Sequence, residues 1–229
     1  MQPIDAVIVA AGSGTRLGAD IPKAFVSLAG KPLFLHSLER LATHNSIKSI
    51  VLVAPPDMLH EAEKIVSINH FAKKVSSVPG GKERWQSVQS GVNACASEWV
   101  LVHDAARPFI SQAVIDSVLE KMAGFDAVIT VTSEVDTVRH FKGDRALETV
   151  DRSTLVRVGT PQLFRTAMLK KAFLAAERMV PPPTDEAILM EAMGIPVGIA
   201  WGDPLNFKIT TQRDLVLAEA LYAWSSPRK

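Results

Sequence analysis

Five short runs rich in β-branched residues alternate with stretches of helical period, and this alternation limits the chain to a small set of folds. The runs cover residues 4–10, 48–54, 73–79, 98–104 and 126–132. Between them apolar residues recur at helical spacing, as in Leu35, Leu38 and Leu41 or Val114, Val118 and Met122. A strand that is apolar along its whole length must be covered on both faces. Strand–helix alternation supplies that cover, so the expectation is an α/β fold with a mainly parallel sheet and right-handed crossovers. The 229 residues, 47% of them hydrophobic, suit one domain spanning 1–229.

The rhythm breaks after Thr132. Residues 133–164 carry no helical period and read as extended segments around a turn at Lys142, Gly143 and Asp144. They predict an inserted β-arm at about 133–158. Its own domain buries such an arm poorly, so a partner subunit is expected to cover it. A helix should follow from about Thr166 to Met179, and a second should open at Thr184 as N-cap, with Asp185 and Glu186 in its first turn. A strand is expected to end at Trp201, and an alternating strand over 206–210 should carry Lys208. The last helix should begin near Gln212 behind a Thr211-x-x-Asp214 capping pattern.

The formal net charge is only +1, so nothing draws the whole chain to nucleic acid or a membrane. Basic residues are not interleaved with aromatics, as nucleic-acid binding would require. No apolar run approaches the roughly 20 residues of a membrane helix, and the first residues do not read as a signal peptide. The expected location is cytoplasmic. The single cysteine, Cys95, sits between alanines and reads as a small core residue.

The chemistry begins in residues 9–25, VAAGSGTRLGADIPKAF. A glycine-rich turn after a first strand suggests phosphate binding. Two familiar forms fail on spacing. A dinucleotide turn from Gly12 and Gly14 needs its third glycine where Leu17 stands. A P-loop from Gly12 needs its second glycine at the same leucine. What remains is a loop of small residues, Ala10, Ala11 and Gly12 among them, with two cations, Arg16 and Lys23. It can wrap a triphosphate without either motif.

Three further stretches carry candidates. In VPGGKERWQSV, Gly80 and Gly81 precede a helix on whose first turn Arg84 and Ser87 are near neighbours. In VLVHDAARPF an apolar strand ends in Asp104, where open α/β sheets bind ligands, with Ala105 and Ala106 leaving space and Arg107 placed for bidentate contacts. His103 reads as a structural hydrogen-bonder. Arg152, Thr160 and Lys208 add polar groups further on. No Ser-His-Asp order or Cys/His cluster is present, so cations, glycines and one well-placed carboxylate point to phosphoryl or nucleotidyl transfer.

These motifs resemble the 2-C-methyl-D-erythritol 4-phosphate cytidylyltransferase family of the non-mevalonate isoprenoid pathway. AAGSGTRLG, PKAF, GGKERWQSV, VLVHDAARPF, TVDR, TPQLF, TDEA and NFKIT occur in the family's order across nearly the whole chain. The resemblance implies a Rossmann-like nucleotidyltransferase fold with a mainly parallel mixed sheet and a protruding β-arm that forms a homodimer. It implies attack of the acceptor phosphate on the α-phosphate of CTP, with Mg²⁺ as cofactor. Arg16 and Lys23 would stabilise charge on the α-phosphate. Arg152 and Lys208 would position methylerythritol phosphate, with Arg152 and Thr137 reaching in from the partner's arm. Ala10, Ala11, Gly12, Gly81, Arg84, Ser87, Asp104 and Ala105 would line the CTP site beside Gly80. Arg107, Thr160 and Thr184 would shape the acceptor side. Asp104 is the candidate metal ligand, with phosphates holding most of the ion. Lys82 stands where relatives often carry an acid and receives no base contact. A sister family acts on ribitol 5-phosphate and tends to carry valine where this chain has Ala106, which favours methylerythritol phosphate. The rival from another class is a dead nucleotide-binding regulatory domain, against which the retained Arg16, Lys23 and Lys208 argue.

Overall fold

A computed structural model describes residues 2–12, 14 and 21–225. Arg16, one of the two loop cations, lies outside the described residues.

In chain order the strands are β1 (Ile4–Val9), β2 (Ser27–Leu28), β3 (Lys31–Pro32), β4 (Ile47–Ala54), β5 (Lys74–Pro79), β6 (Trp99–Asp104), β7 (Ala127–Ser133), β8 (Arg139–Lys142), β9 (Arg145–Thr149), β10 (Val156–Arg165) and β11 (Val197–Trp201). The helices are α1 (Leu33–Ala42), α2 (Leu59–Ile68), α3 (Arg84–Asn93), α4 (Gln112–Leu119), α5 (Thr166–Ala176), α6 (Ala187–Ala192) and α7 (Gln212–Ser225).

β1 shows why the apolar runs carry no polar alternation. Ile4, Ala6 and Ile8 pack with Phe34, Leu38 and Leu41 of α1 and Ile115 of α4. Val7 packs into a second cluster with Trp85 and Val88 of α3 and Phe173 of α5. Both faces are therefore buried, as a parallel sheet with helices on each side requires.

The main sheet has seven strands in the order β11-β7-β10-β6-β1-β4-β5. Only β10 runs antiparallel to its neighbours. From β1 the chain steps outward through β4 to β5, then returns to place β6 on the other side of β1. This reversal is a topological switch point, and the crevice above it, at the carboxyl ends of β1 and β6, is where open sheets bind ligands.

The arm segment is a hairpin. β8 and β9 pair antiparallel around Gly143, whose φ of 57° suits a tight turn. Two expectations are corrected. The helix near residue 184 begins at Ala187, and Asp185, not Thr184, accepts the Ile188 N–H, at 3.2 Å. Residues 206–210 form no strand. That segment is pinned by single bonds instead, from Ile209 N–H to Ala106 O at 2.8 Å and from Thr210 N–H to Asp214 Oδ2 at 2.8 Å. The capping pattern before α7 holds, with Asp214 N–H donating to Thr211 Oγ1 at 3.3 Å.

The pole opposite the crevice is braced by Asp5. Its buried carboxylate accepts from Ser49 Oγ at 2.6 Å and from the N–H groups of Ala96 and Ser97 at 2.8 and 2.7 Å. Burial works to raise its pKa, but these bonds outweigh it and hold the carboxyl below its ordinary value. Asp5→Asn should therefore cost about 1.5–3 kcal/mol at pH 7, the range for hydrogen bonds to charged groups. Because the folded-state pKa is depressed, this stabilisation is present above the unfolded value and fades as pH falls through the folded one. Urea midpoints of the two proteins should converge in acid; a constant gap would refute the account. Cys95 is buried nearby with its thiol pushed up to about 12, chiefly by burial and then by Asp5, so it is chemically quiet as expected.

Candidate active site

β1 and β6 pair so that Val9 lies opposite Asp104. The loops that follow them therefore leave the sheet side by side, and Ala105 N–H donates to Val9 O at 3.1 Å. A cleft of about 330 Å³ opens there. Its walls include Ala10, Ala11, Gly12, Lys23, Gly81, Arg84, Ser87, Asp104, Ala105 and Lys208. Ten residues singled out from four separate sequence stretches thus meet in one place.

Two glycines are needed for this convergence. A Cβ on Gly80 would stand 2.3 Å from Ala11 Cβ, so only glycine lets the loops after β1 and β5 touch. Gly80 itself lies behind the cleft wall rather than in its lining. Gly14 has a φ of +69°, and a Cβ there would meet Lys23 Cβ at 2.4 Å, so only glycine lets the backbone at this position lie tightly against Lys23. Ser87 shapes the wall as well: its Oγ accepts the Gly81 N–H at 3.1 Å.

A charged network forms the floor. Arg84 donates from Nε and Nη2 to Asp104 Oδ1 at 3.3 and 3.2 Å, and from Nη1 to Glu186 Oε1 at 2.7 Å. Lys208 Nζ donates to Asp104 Oδ2 at 2.8 Å. Arg107 Nε stands 3.8 Å from the same oxygen. Burial works to raise the Asp104 pKa, but Arg84, Lys208 and Arg107 outweigh it and hold the carboxyl well below the usual carboxylate range. Glu186 is fully buried, and that burial raises its pKa despite Arg84. Arg84 itself is held more firmly protonated: burial opposes its charge, but Asp104 and Glu186 prevail. Among the described residues Lys23, Lys82, Arg84, Arg107 and Lys208 thus stand against Glu83, Asp104 and Glu186, which leaves the crevice cationic and suited to a polyphosphate.

A second cavity of about 240 Å³ adjoins the first and shares Lys208. Arg107, Thr160, Asn206 and Arg157 line it. Arg107 Nη1 donates to Asn206 O at 3.0 Å. Two buried polar atoms here, Arg107 Nε and Asn206 Oδ1, have no hydrogen-bond partner among the described residues. Burial drives the neighbouring His103 ring down to about 4, so it is neutral near pH 7.

Three of the expected residues lie elsewhere. Thr184 is exposed and lines neither cavity. Thr137 and Arg152 are exposed along the arm, where Arg152 Nη1 donates to Val135 O. Sequence reasoning missed Glu186 as the partner of Arg84, and missed Arg157 and Asn206 in the second cavity. Glu186 is 102 residues from Arg84, and no local pattern couples them.

Known proteins resemble this chain in sequence and in fold. A family model described as 2-C-methyl-D-erythritol 4-phosphate cytidylyltransferase matches residues 4–223. The chain is 38% identical over 218 residues to the protein of that name from Bacillus licheniformis, covering 95% of this chain and 94% of the relative. It is 39% identical over 219 residues to that from Endomicrobium trichonymphae, covering 94% and 97%. Among solved structures, the Thermus thermophilus cytidylyltransferase superposes with a TM-score of 0.80 at 31% identity, covering 97% of this chain and 100% of that one. The 4-diphosphocytidyl-2C-methyl-D-erythritol synthase of Anaerococcus prevotii reaches a TM-score of 0.86 at 28% identity, covering 97% and 96%.

Proposed function

The chain belongs to the 2-C-methyl-D-erythritol 4-phosphate cytidylyltransferase family, and from that premise we propose how its own residues divide the work. The reaction transfers the cytidylyl group of CTP to 2-C-methyl-D-erythritol 4-phosphate and releases pyrophosphate. The observation that carries the assignment of roles is the meeting of Lys23, Arg84, Asp104 and Lys208 in one cleft above the switch point.

CTP occupies the larger cleft. The small residues Ala10, Ala11 and Gly12 let its phosphates approach the backbone, and the Gly81–Ser87 wall faces the nucleoside. The acceptor lies toward Lys208 and the cavity lined by Arg107 and Thr160. Its phosphate oxygen, already an anion, attacks the α-phosphorus in line as pyrophosphate leaves, so no general base is needed. Catalysis is then positioning plus electrostatics. Lys23, with Arg16, neutralises the charge that builds on the α-phosphate, while Lys208 aligns the nucleophile.

A divalent cation fits this site in one way. Among the described residues, no group of three or more His, Cys, Asp or Glu could hold a metal. The ionised Asp104 carboxylate is a hard oxygen ligand of the kind Mg²⁺ prefers, and phosphate oxygens would complete its shell. Such an ion offsets the repulsion between two anionic substrates.

Exposed Val135, Phe141, Val156 and Val158 give the arm and its flanks an apolar surface that a second subunit would cover. Arg152 and Thr137 then serve the partner's cleft in a homodimer. Mixing Arg152→Ala with Lys23→Ala subunits tests this. Each mixed dimer retains one site with an intact Lys23 and an intact arm, so activity should reappear. No recovery would place the arm in its own subunit's site. Among the described residues no helix is long and apolar enough to cross a membrane, and the balanced charge suits the cytoplasm, where we place the enzyme.

Pyrophosphate release tests the reaction itself. It should require CTP, a divalent cation and methylerythritol phosphate, and chelation should abolish it. Release with ribitol 5-phosphate instead would overturn the acceptor, and silence with every pair would favour a binding domain.

A further inference from the structure

His103 takes no part in the transfer, yet it is fully buried one residue before Asp104. Its hydrogen bonds can be assigned without ambiguity. Nε2 lies 3.0 Å from the Arg107 carbonyl oxygen, which can only accept, so Nε2 must carry the proton. In the neutral ring Nδ1 is then a bare acceptor, 3.1 Å from Thr160 Oγ1, so the hydroxyl must donate to it. That leaves the hydroxyl's lone pairs for the Asp104 N–H, 3.0 Å away.

The chain of bonds closes on itself. Arg107 Nη1 donates to Asn206 O, and Asn206 Nδ2 donates to Thr160 O at 2.8 Å. The ring Thr160–His103–Arg107–Asn206, with Asp104 N–H joined to it at Thr160, ties the end of β6 to β10 and to the segment that presents Lys208. These three segments are far apart in sequence, and backbone pairing between β6 and β10 runs only from Val102 to Trp99, short of the crevice. With the Ile209 N–H to Ala106 O bond, the side-chain ring therefore fixes how Asp104, Arg107 and Lys208 sit relative to β10, where the β6–β10 ladder does not.

We propose that His103, as the Nε2-protonated tautomer, is a positioning residue that holds the acceptor side of the site in register through this hydrogen-bond ring. It never touches substrate. Its effect falls more on the acceptor than on CTP, because the Ala10–Gly12 and Gly81–Ser87 walls of the CTP cleft hang from β1 and α3 outside the ring, and Asp104, which the two sides share, is also held by the pairing of β6 with β1. The kinetic part rests on the acceptor reading of the second cavity; the tautomer does not.

Two measurements test it. Long-range ¹H–¹⁵N correlation on the unaltered protein should show a pyridine-type Nδ1 and a pyrrole-type Nε2 for His103; the reverse pattern would overturn the ring. In kinetics, His103→Asn keeps an acceptor near the Nδ1 position and His103→Gln keeps a donor near Nε2, whereas His103→Phe keeps neither. The kcat/KM for the acceptor should fall roughly a hundredfold in the phenylalanine variant, as expected for an ångström-scale misplacement, and less in each amide variant. CTP affinity should fall by far less. A folded His103→Phe with unchanged kcat/KM, or with CTP affinity lost in proportion, would refute the proposal. Should that variant not fold, the amide variants and the tautomer decide it: full activity in both amides, or the wrong tautomer, would refute it equally.

Discussion

Replacing Lys23 by alanine should lower kcat by roughly 10²–10³, the effect of removing one well-aimed charge donor, and leave the fold intact. Lys23 lines the cleft, and Gly14 packs against its Cβ and backbone rather than its ammonium end. The chain path therefore survives truncation of the side chain. The loss should appear in single-turnover rates with CTP and acceptor both saturating, because the ammonium acts on charge that develops only as the α-phosphorus is attacked. Lys23→Arg should recover part of the rate, since the charge returns with altered reach. A Lys23→Ala enzyme that turns over near the normal rate would remove Lys23 from catalysis. One that loses only CTP affinity would make it a ground-state binder.

Arg84→Met should destabilise the fold by about 3–5 kcal/mol, the usual cost of leaving one partner of a buried ion pair alone. Asp104 would keep Lys208, but Glu186 is fully buried, and Arg84 is the one side chain seen donating to it among the described residues. Adding Glu186→Gln should recover most of the deficit, because the stranded charge is gone; that recovery is the coupling a double-mutant cycle measures. The sign with pH follows. The Glu186 pKa is already raised by burial in the intact protein, and losing Arg84 raises it further. A carboxyl whose folded-state pKa exceeds its unfolded value costs stability as pH rises through that window. The Arg84→Met deficit should therefore shrink toward acid. Urea midpoints at several pH values would show it, and equal deficits with and without Glu186→Gln would refute the pairing. CTP binding should weaken in either background, since Arg84 also lines the cleft.

The two residues differ in how far they can be read from the chain. Lys23 stands out because two failed glycine spacings direct attention to the cations of the same loop. Arg84 stands out only as part of a glycine-then-helix turn, and nothing near it announces Glu186. The TDEA stretch reads locally as a helix start, with its two acids serving the first turn. In the fold Asp185 does cap, while Glu186 turns inward to meet an arginine from the far side of the sequence. The failed strand over 206–210 has the same origin. Alternating residues there suggest a ladder, but the segment runs beside the β6 loop and is held by isolated bonds.

By itself the sequence determined what depends on neighbours a few residues away. That includes the strands of the main sheet and most of the helices that cover it, the cap at Thr211 and Asp214, the turn at Gly143, and a loop of small residues that can let a ligand approach closely. Periodicity and backbone sterics act over that range, so they leave a local signature. Only the tertiary structure decided that β6 returns beside β1, that Glu186 underlies Arg84, and that His103, Thr160, Asn206 and Arg107 close a ring around Asp104. Apart from the His103–Arg107 bond, those pairings join residues tens to more than a hundred positions apart. They are selected by the packing and polar satisfaction of the whole sheet at once, a condition that no short stretch of chain can express.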